Sequence, residues 1–293
     1  MKKQLIFSLI IVLTSLITHA QEHAINAANF IAERDIEAAE TEMKIALQDE
    51  KEKNNPYTWH VYAFLLKEQF KQNISGKNEY RSLAILAAKK SLKLDKENTF
   101  QQKTNKILNY LAATYLKEAF LLSKSNDTTQ IKTAIGFYNE YEFTKKITTP
   151  DEDFMKTKHE VLIHMANQYE KLYYKNKSEK KYVLKAIKTY ENILQKDSLN
   201  YQSNYNVAVD YYNLAVDEIS KIDANTPFWE LILIQEQSIE LFKKSLPYMT
   251  RAHQQNSDRI HSLKGLMQIY RALGDEEKYL SFKQKTKDKI RNQ

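Results

Sequence analysis

The stretch from residue 185 to residue 215 constrains the fold more than any other part of the sequence. Its apolar residues recur at offsets of one, three and four, first over 186–194 and again over 207–215. This is the period of a helix with one buried face. Asp197 and Asn200 lie between the two runs and carry side chains that cap helix ends. The stretch therefore predicts two amphipathic helices joined by a short turn.

The rest of the chain after residue 20 has the same helical character. The sequence contains only four glycines and four prolines, so each of these residues marks a helix boundary or an irregularity. Pro247 falls inside a long helical segment and predicts a kink, and Gly274 predicts a left-handed turn between the last two helices. Three other prolines follow a capping residue, which predicts helix starts. These pairs are Asn55-Pro56, Thr149-Pro150 and Thr226-Pro227.

The spacing within this stretch resembles that of the tetratricopeptide repeat. Ala186, Tyr190, Ile193 and Asp197 follow the signature positions of the second helix of such a repeat and the turn after it. Related patterns occur on both sides, and the clearest includes a tryptophan at the family's position for it. The matching first-helix residues are Val207, Ala208 and Tyr211 in one repeat, and Trp59, Tyr62, Ala63 and Leu66 in another.

The resemblance implies an all-α fold, an α-solenoid of about five to six antiparallel helix pairs in a right-handed superhelix. It covers residues 22–291, nearly all of a single domain over 21–293. The repeats are longer than the family's usual length of about 34 residues, and most of the extra length is expected between the helices of a pair, as at 215–237. The expected helix pairs span about 22–50, 56–97, 100–147, 150–197, 200–257 and 258–291.

Residues 1–20 have the three parts of a secretory signal peptide. Lys2 and Lys3 precede an apolar run over 5–17, and Thr18-His19-Ala20 is a small-residue cleavage site. A membrane anchor is the alternative, but thirteen residues rise only about 20 Å as a helix, less than the roughly 30 Å of a bilayer core. We therefore expect export, cleavage before Gln21 and no membrane span in the mature chain.

The absence of cysteine limits the chemistry of an exported chain. Without cysteine there is no disulfide, no thiolate metal ligand and no lipid attachment after the signal. Stability must then come from buried apolar area, which stacked helix pairs provide. The signal ending in Ala-Gln is similar to those of Gram-negative exported proteins, so the periplasm is the first expected location and secretion the second.

The net charge does not indicate nucleic-acid binding. The formal charge is +7, and removal of Lys2 and Lys3 with the signal leaves +5. Lysine and glutamate are interleaved, as in the segments KTKHE and KSEKK, which is typical of solvated helix faces. A nucleic-acid surface would need clustered basic residues with stacking aromatics, so no nucleic-acid partner is expected.

No arrangement of residues in the sequence predicts catalysis. His159 and His164 are five residues apart, about 140° around a helix axis, whereas a helical zinc pair uses a spacing of four. Phosphate-binding glycine loops, serine nucleophile turns and cysteine nucleophiles are all missing. The three acidic residues at 151–153 are explained as a helix cap. We therefore expect no enzyme, no cofactor and no metal.

The aromatic residues divide into packing and candidate binding positions. Many of the nineteen tyrosines occupy repeat positions that need bulk between helices, among them Tyr115, Tyr138, Tyr169, Tyr190, Tyr211 and Tyr270. The resemblance assigns another set of first-helix positions to a concave binding face, where aromatics give area and amides pair with backbone. These candidate partner-binding residues are Tyr57, His60, Phe64, Asn109, Asn167, Tyr205, Tyr212 and Asn213.

The expected function is that of a non-enzymatic protein-interaction scaffold of the cell envelope. It would bind a peptide or a partner helix along the concave face. The alternative is recognition of an envelope glycan or another polyanion through lysines and tyrosines, which would weaken steeply with salt. Phe228 and Trp229 form a second possible surface if they are exposed at a hairpin tip. We expect instead that they pack onto the lengthened first helix of the pair, because the apolar face of such a helix needs bulky side chains to cover it.

Overall fold

The computed structural model describes residues 21–72 and 77–291, and over these residues the protein is all-α. The described part of the chain contains no strand, and its helices pack in pairs, which confirms the predicted fold class. The predicted signal peptide at 1–20 lies outside the described residues. The helices are α1 (Glu22–Glu33), α2 (Ile36–Gln48), a 3-10 turn (Glu52–Asn54), α3 (Pro56–Lys71), α4 (Lys77–Leu94), α5 (Gln101–Ser123), α6 (Thr128–Thr148), α7 (Met155–Lys175), α8 (Lys181–Leu194), α9 (Tyr201–Ile219), α10 (Phe228–Gln255), α11 (Ile260–Ala272) and α12 (Glu276–Arg291).

Several helix ends have the caps that the sequence predicts. Asn55 Oδ1 accepts the Tyr57 backbone N–H at 2.9 Å, with Pro56 as the first residue of α3. Asn200 Oδ1 accepts the Ser203 N–H at 3.0 Å at the start of α9. Gly274 has φ of +73° between α11 and α12, the left-handed conformation that glycine adopts without strain. Each of these three residues lies at the helix end that the sequence predicts for it.

The prediction of a helix start at Thr149-Pro150 is wrong. Pro150 lies in a turn, and α7 begins only at Met155. Thr149 instead ends α6, because its N–H donates to the Lys145 carbonyl at 2.8 Å and its hydroxyl donates to the Glu152 carboxylate at 2.7 Å. A proline directly after a helix stops it, because the ring cannot continue the backbone hydrogen bonds. The third proline of this kind, Pro227, immediately precedes α10.

The described helices form two compact units. The first comprises residues 21–118 and 137–153, and the second comprises 119–136 and 154–291. In the first unit, α1, α2 and α3 pack together around small and medium apolar side chains, including Ala27, Ala39 and Met43. The small residues permit close approach of the helices.

The first unit also buries the whole side chain of one arginine. Arg81 on α4 is fully buried, and its guanidinium lies 3.7 Å from the centre of the Tyr115 ring. It donates to Glu118 Oε2 at 3.0 Å, to Asn78 Oδ1 at 2.8 Å and to Thr114 Oγ1 at 3.3 Å. Stacking and three donated hydrogen bonds offset part of the loss of water around the charge, while the buried Nε–H has no partner among the described residues.

In the second unit, α9 and α10 pack as a long antiparallel pair. The Ser245 hydroxyl donates to the Ala208 carbonyl at 2.7 Å, and the Ser238 hydroxyl donates to the Ala215 carbonyl at 3.3 Å. Residue numbers rise along α10 as they fall along α9, which fixes the antiparallel direction. Serine at both positions keeps the contact narrow while satisfying its own hydroxyl. Pro247 lies within α10, which continues to Gln255.

The predicted long excursion at 215–237 is mostly helical. α9 continues to Ile219 and α10 begins at Phe228, so the connection is only 220–227. The last buried residue of α9 is Glu218 and the first of α10 is Ile234. The extra length of this repeat therefore lies in extended helices, and residues 219–233 form a hairpin tip that buries none of its own side chains.

Candidate functional site

Two of the predicted binding residues in the first unit pack on one phenylalanine. Tyr57 and His60 on α3 have ring centres 5.4 Å and 6.0 Å from that of Phe100. His60 Nδ1 lies 2.9 Å from Thr104 Oγ1. Burial, with a smaller contribution from the charge of Lys103, lowers the pKa of His60 to about 4. Both side chains are partly buried in contacts within the unit.

The other two predicted residues of this unit also have internal partners. Phe64 is partly buried in the first unit's core, and the Lys67 ammonium lies 3.8 Å from the centre of its ring. Asn109 is exposed on α5, and its Oδ1 accepts from Lys145 Nζ and from the Thr148 hydroxyl, each at 3.2 Å. A partner that paired with Asn109 would have to compete with these two bonds.

Two predicted asparagines of the second unit are engaged with tyrosines. Asn167 Oδ1 accepts from the Tyr190 hydroxyl at 2.6 Å. Asn213 Nδ2 donates to the Tyr174 hydroxyl at 2.8 Å. These bonds join α7 to α8 and α9 within the unit, so both amides contribute to packing between helices.

Three predicted residues line one cavity of the second unit. The cavity has a volume of about 260 Å³, and Tyr205, Tyr212 and Asn213 of α9 form one side of it. Tyr205 stacks on Tyr201 with ring centres 6.0 Å apart, and Tyr212 packs 5.1 Å from Phe242. Val209 of α9 also lines it, and α10 and α11 supply apolar Met249 and Ile269 and polar His261, Lys264 and Gln268. The cavity therefore has aromatic and aliphatic walls with a few polar groups.

Sequence reasoning missed a buried pair of carboxyl groups in the second unit. Glu170 of α7 and Asp210 of α9 are within hydrogen-bonding reach of each other, and Asp210 is only 1% exposed. The Tyr190 hydroxyl of α8, which donates to Asn167 Oδ1, lies within hydrogen-bonding reach of Glu170 and accepts from Asn206 Nδ2 at 2.7 Å. Burial, together with the charge of Glu170, raises the pKa of Asp210 to about 9, and burial also raises the pKa of Glu170.

This pair belongs to the packing of three helices. Asp210 is buried, whereas Glu170 is only partly buried and lines an open cavity of about 480 Å³. At neutral pH Asp210 keeps its proton and can donate to Glu170. One signal in the sequence was available: Asp210 falls between Val207 and Leu214 on an otherwise apolar helix face.

The hairpin tip at 219–233 exposes large apolar side chains. Phe228 is 78% exposed and Trp229 is 67% exposed, so the prediction that they pack onto the neighbouring helix is wrong. Both rings lie beyond the last buried residue of α9, Glu218, and before the first buried residue of α10, Ile234. Ile232 and Leu233 continue the exposed apolar face by one turn.

Next to this tip an open groove runs between α8 and α10, with α9 below it. Its volume is about 470 Å³. Leucines from all three helices line it, and lysine and glutamate side chains flank them. The leucines are Leu184, Leu214, Leu233 and Leu241.

The described residues offer little for metal chemistry. No group of three or more histidine, aspartate or glutamate residues within 21–72 and 77–291 is placed to hold a metal ion. His159 Nδ1 lies 3.9 Å from Asp197, whereas His164 packs edge-on against Phe120 at 5.8 Å. The two histidines thus have different neighbours. In the same described ranges, no helix combines the length and apolarity needed to cross a bilayer.

Comparison of the sequence with protein-family models and with curated proteins gave no match. The tetratricopeptide-like assignment therefore stays a prediction, while the all-α fold of packed helix pairs rests on the structure.

Proposed function

We propose that the protein is a non-enzymatic, tetratricopeptide-like interaction module of the cell envelope. The periplasm is its first proposed location, and secretion is the second. The second unit of the protein binds an extended segment of a partner protein. The observation that carries this proposal is the cavity between α9, α10 and α11, because three of the predicted binding residues line it: Tyr205, Tyr212 and Asn213. Tyrosine and asparagine are typical of surfaces that recognise peptides, since they combine contact area with hydrogen bonds.

The size of the cavity favours one side chain over a whole small molecule. Pockets that enclose drug-sized ligands span about 300–1,000 Å³, and this cavity is about 260 Å³. Its walls include Val209, Met249 and Ile269, which suit an apolar group. The occupant we propose is a leucine, methionine or phenylalanine side chain of an extended peptide.

Charge near the cavity specifies the flanking residues of that peptide. Lys264 lines the cavity, and the positive charge of Arg271 acts on the Tyr212 hydroxyl. Asn213 and Gln268 add amide groups that can pair with a peptide backbone. A segment with an apolar residue next to one or two carboxylates is therefore the best fit.

The other predicted positions contribute less to this proposal. Tyr57, His60, Phe64, Asn109 and Asn167 are all engaged in contacts inside their own units. Binding at Asn109 or Asn167 would have to replace an existing hydrogen bond, which leaves little net gain in free energy. They stay candidate residues, and the proposal rests on the second unit.

The alternative of polyanion binding has less support. Several lysines pair with a carboxylate three or four residues away, as Lys44 does with Glu40 and Lys278 does with Asp275, both at 2.9 Å. A polyanion site needs positive charge that is clustered and uncompensated. Such local pairing spreads and neutralises the charge, so a protein partner is favoured.

Selection of peptides from a random library tests the proposal. We expect enriched sequences to contain a large apolar residue beside aspartate or glutamate, and one such peptide, labelled with a fluorophore, gives the dissociation constant by polarisation. Tyr205→Ala should weaken binding at least tenfold, because it removes one aromatic wall. Lys264→Glu should weaken the binding of acidic peptides more than the binding of neutral ones.

Tyr211→Ala is the matched control. Tyr211 lies on the same helix and is also half-buried, but it stacks on Tyr248 at 6.1 Å and does not line the cavity. Equal losses in Tyr205→Ala and Tyr211→Ala would indicate a general disturbance of α9 and would contradict the proposed site. Binding of heparin or envelope glycan that disappears at high salt, without any peptide enrichment, would favour the polyanion alternative.

A further inference from the structure

The exposed side of α10 has a self-complementary order of side chains. Taking Gln237 as the centre, Leu233 and Leu241 lie four residues away on either side, and Glu230 and Lys244 lie seven residues away. At 100° per residue all five lie within about 40° of one line along the helix. A second α10, running antiparallel, therefore places leucine against leucine and glutamate against lysine.

The surroundings of this line suit an added helix. Leu233, Gln237, Leu241 and Lys244 all line the open groove between α8 and α10. Leu184 on the opposite side of the groove is 53% exposed, and Leu233 is 45% exposed. The groove thus has apolar side chains on both walls without a covering element from the described part of the same unit.

The charges at the ends of the line are available for pairing. Within residues 21–72 and 77–291, neither Glu230 nor Lys244 forms an ion pair of 4.0 Å or less. By contrast, their neighbours Glu240 and Lys243 pair with each other at 2.8 Å. Two opposite charges without a close ion pair, equally far from Gln237, are what a two-fold contact requires, because each residue then meets its complement in the other copy.

We propose that a second copy of this chain occupies the groove, so that two α10 helices pack antiparallel about a two-fold axis at Gln237. Leu233 of each copy contacts Leu241 of the other, and Glu230 of each copy pairs with Lys244 of the other. The arrangement gives the protein an isologous dimer contact separate from the cavity at Tyr205 and Tyr212. It goes beyond peptide binding and does not depend on it.

A cysteine at the proposed axis gives the most direct test. The chain has no natural cysteine, and Gln237→Cys places two thiols opposite each other across the two-fold axis. Mild oxidation of the purified protein at micromolar concentration should link nearly all of it into a dimer on a denaturing gel. Gln254→Cys is the control, because its position on the same helix lies about 25 Å from the axis and should link at most slowly.

Charge exchange tests the pairing itself. Sedimentation equilibrium of the unmodified protein should show a reversible dimer, and Leu233→Glu should raise its dissociation constant at least a hundredfold. Glu230→Lys and Lys244→Glu should each raise it about fivefold to tenfold, whereas the double variant should return to near the original value, since both partners of each pair have been exchanged. Leu280→Glu, an exposed leucine of α12, should leave it unchanged.

Three results would overturn the proposal. One is a protein that stays monomeric up to about 100 μM; another is a dimer that Leu233→Glu does not weaken; the third is a double charge variant weaker than both single ones. A monomer that associates with phosphatidylcholine and phosphatidylglycerol vesicles, and loses this association in Trp229→Ser, would overturn it in favour of a lipid surface. None of these outcomes bears on peptide binding at Tyr205, so the two proposals can fail separately.

Discussion

The carboxyl groups of Glu170 on α7 and Asp210 on α9 lie within hydrogen-bonding reach of each other, although the two residues are 40 positions apart in sequence. In an unfolded chain an aspartate ionises near pH 3.9, whereas folded Asp210 keeps its proton up to about pH 9. Between these values the folded state binds more protons than the unfolded state. The free energy of unfolding therefore falls as the pH rises through this window.

Replacing Asp210 by asparagine should remove this pH dependence. The amide cannot ionise but can still donate to Glu170, so Asp210→Asn should gain stability relative to the unmodified protein between pH 5 and pH 9. The slope that disappears is at most about 1.4 kcal/mol per pH unit. Thermal melts followed by circular dichroism at half-unit intervals measure it.

Asp217 on the same helix is the control. Burial opposes its ionisation, but hydrogen bonds from Lys177 at 2.6 Å and Tyr173 at 2.5 Å lower its pKa overall. Its stabilisation is present above about pH 4 and is lost only as the pH falls. Asp217→Asn should therefore be destabilised at both pH 7 and pH 9. Parallel curves for Asp210→Asn and the unmodified protein would show that Asp210 is ionised in the folded state.

Two histidines of the first unit should titrate in opposite directions. Burial holds the pKa of His60 near 4, while a hydrogen bond to Glu42, 2.7 Å from Nδ1, raises the pKa of His23 above 6.5. At pH 6 we expect neutral His60 and charged His23. Ring signals in proton–nitrogen NMR spectra, assigned with His60→Gln and His23→Gln, report both titrations.

The stability consequences of the two histidines also differ in sign. Folded His60 binds fewer protons than its unfolded form, so its contribution is lost as the pH falls from about 6.5 to 4. His23 contributes fully below about pH 6.5, and this contribution is lost as the pH rises through its raised pKa. A midpoint for His60 near 6.5 would mean that solvent reaches the ring beside Phe100.

Loss of the buried arginine should strongly destabilise the first unit. Arg81→Ala removes the stacking on Tyr115 and leaves Glu118 without its cation, which should cost about 3–5 kcal/mol. Arg81→Lys should recover only part of this, because an ammonium lacks the planar stacking surface. Urea unfolding is followed by tryptophan fluorescence in a Trp229→Phe background. Trp59, in the first unit, is then the single tryptophan of the chain, so the signal comes from that unit.

Lys44→Ala is the comparison for the arginine. Its ion pair with Glu40 is exposed, so its removal should change stability by less than about 0.5 kcal/mol. Similar effects of Lys44→Ala and Arg81→Ala would show that the buried guanidinium contributes no more than a surface charge.

Local rules predicted the helices and many of their ends, because caps and periodicity depend on neighbouring residues. The helix ends predicted at Asn55, Asn200 and Gly274 were correct for this reason. Thr149-Pro150 was misassigned, since the same two residues can begin a helix or end the previous one. Which of the two occurs depends on how far α6 can pack against other helices, and this is not determined by the neighbouring residues in sequence.

The site was less predictable than the fold. Tyr205, Tyr212 and Asn213 were predicted as binding residues, and the structure shows them lining one cavity because a single helix carries all three. The Glu170 and Asp210 pair depends on which faces of two distant helices meet across Tyr190, and spacing within one helix does not contain that information. Phe228 and Trp229 show the same limit, because they lie between Glu218 and Ile234, the last buried residue of α9 and the first of α10.

Two glycine substitutions should change stability by different amounts. A Cβ at Gly265 would lie 2.5 Å from Met249 Cε and 2.7 Å from its Sδ, whereas a Cβ at Gly136 would meet nothing within 4 Å. Alanine is favoured over glycine in a helix by about 1 kcal/mol, so Gly136→Ala should stabilise by about 0.5–1 kcal/mol. Gly265→Ala should gain less than this, because the flexible end of the Met249 side chain must move away from the new methyl group.

The Gly265 variant also probes the proposed peptide site, because Gly265 and Met249 line the same cavity of about 260 Å³. The methionine thioether can escape the new methyl group only by moving, and the cavity is the nearest open space. Gly265→Ala should therefore weaken binding of the selected peptide without a loss of stability that would explain it, while Gly136→Ala leaves binding unchanged. Thermal melts and fluorescence polarisation on both variants check this, and unaltered peptide affinity in folded Gly265→Ala would show that Met249 moves away from the cavity.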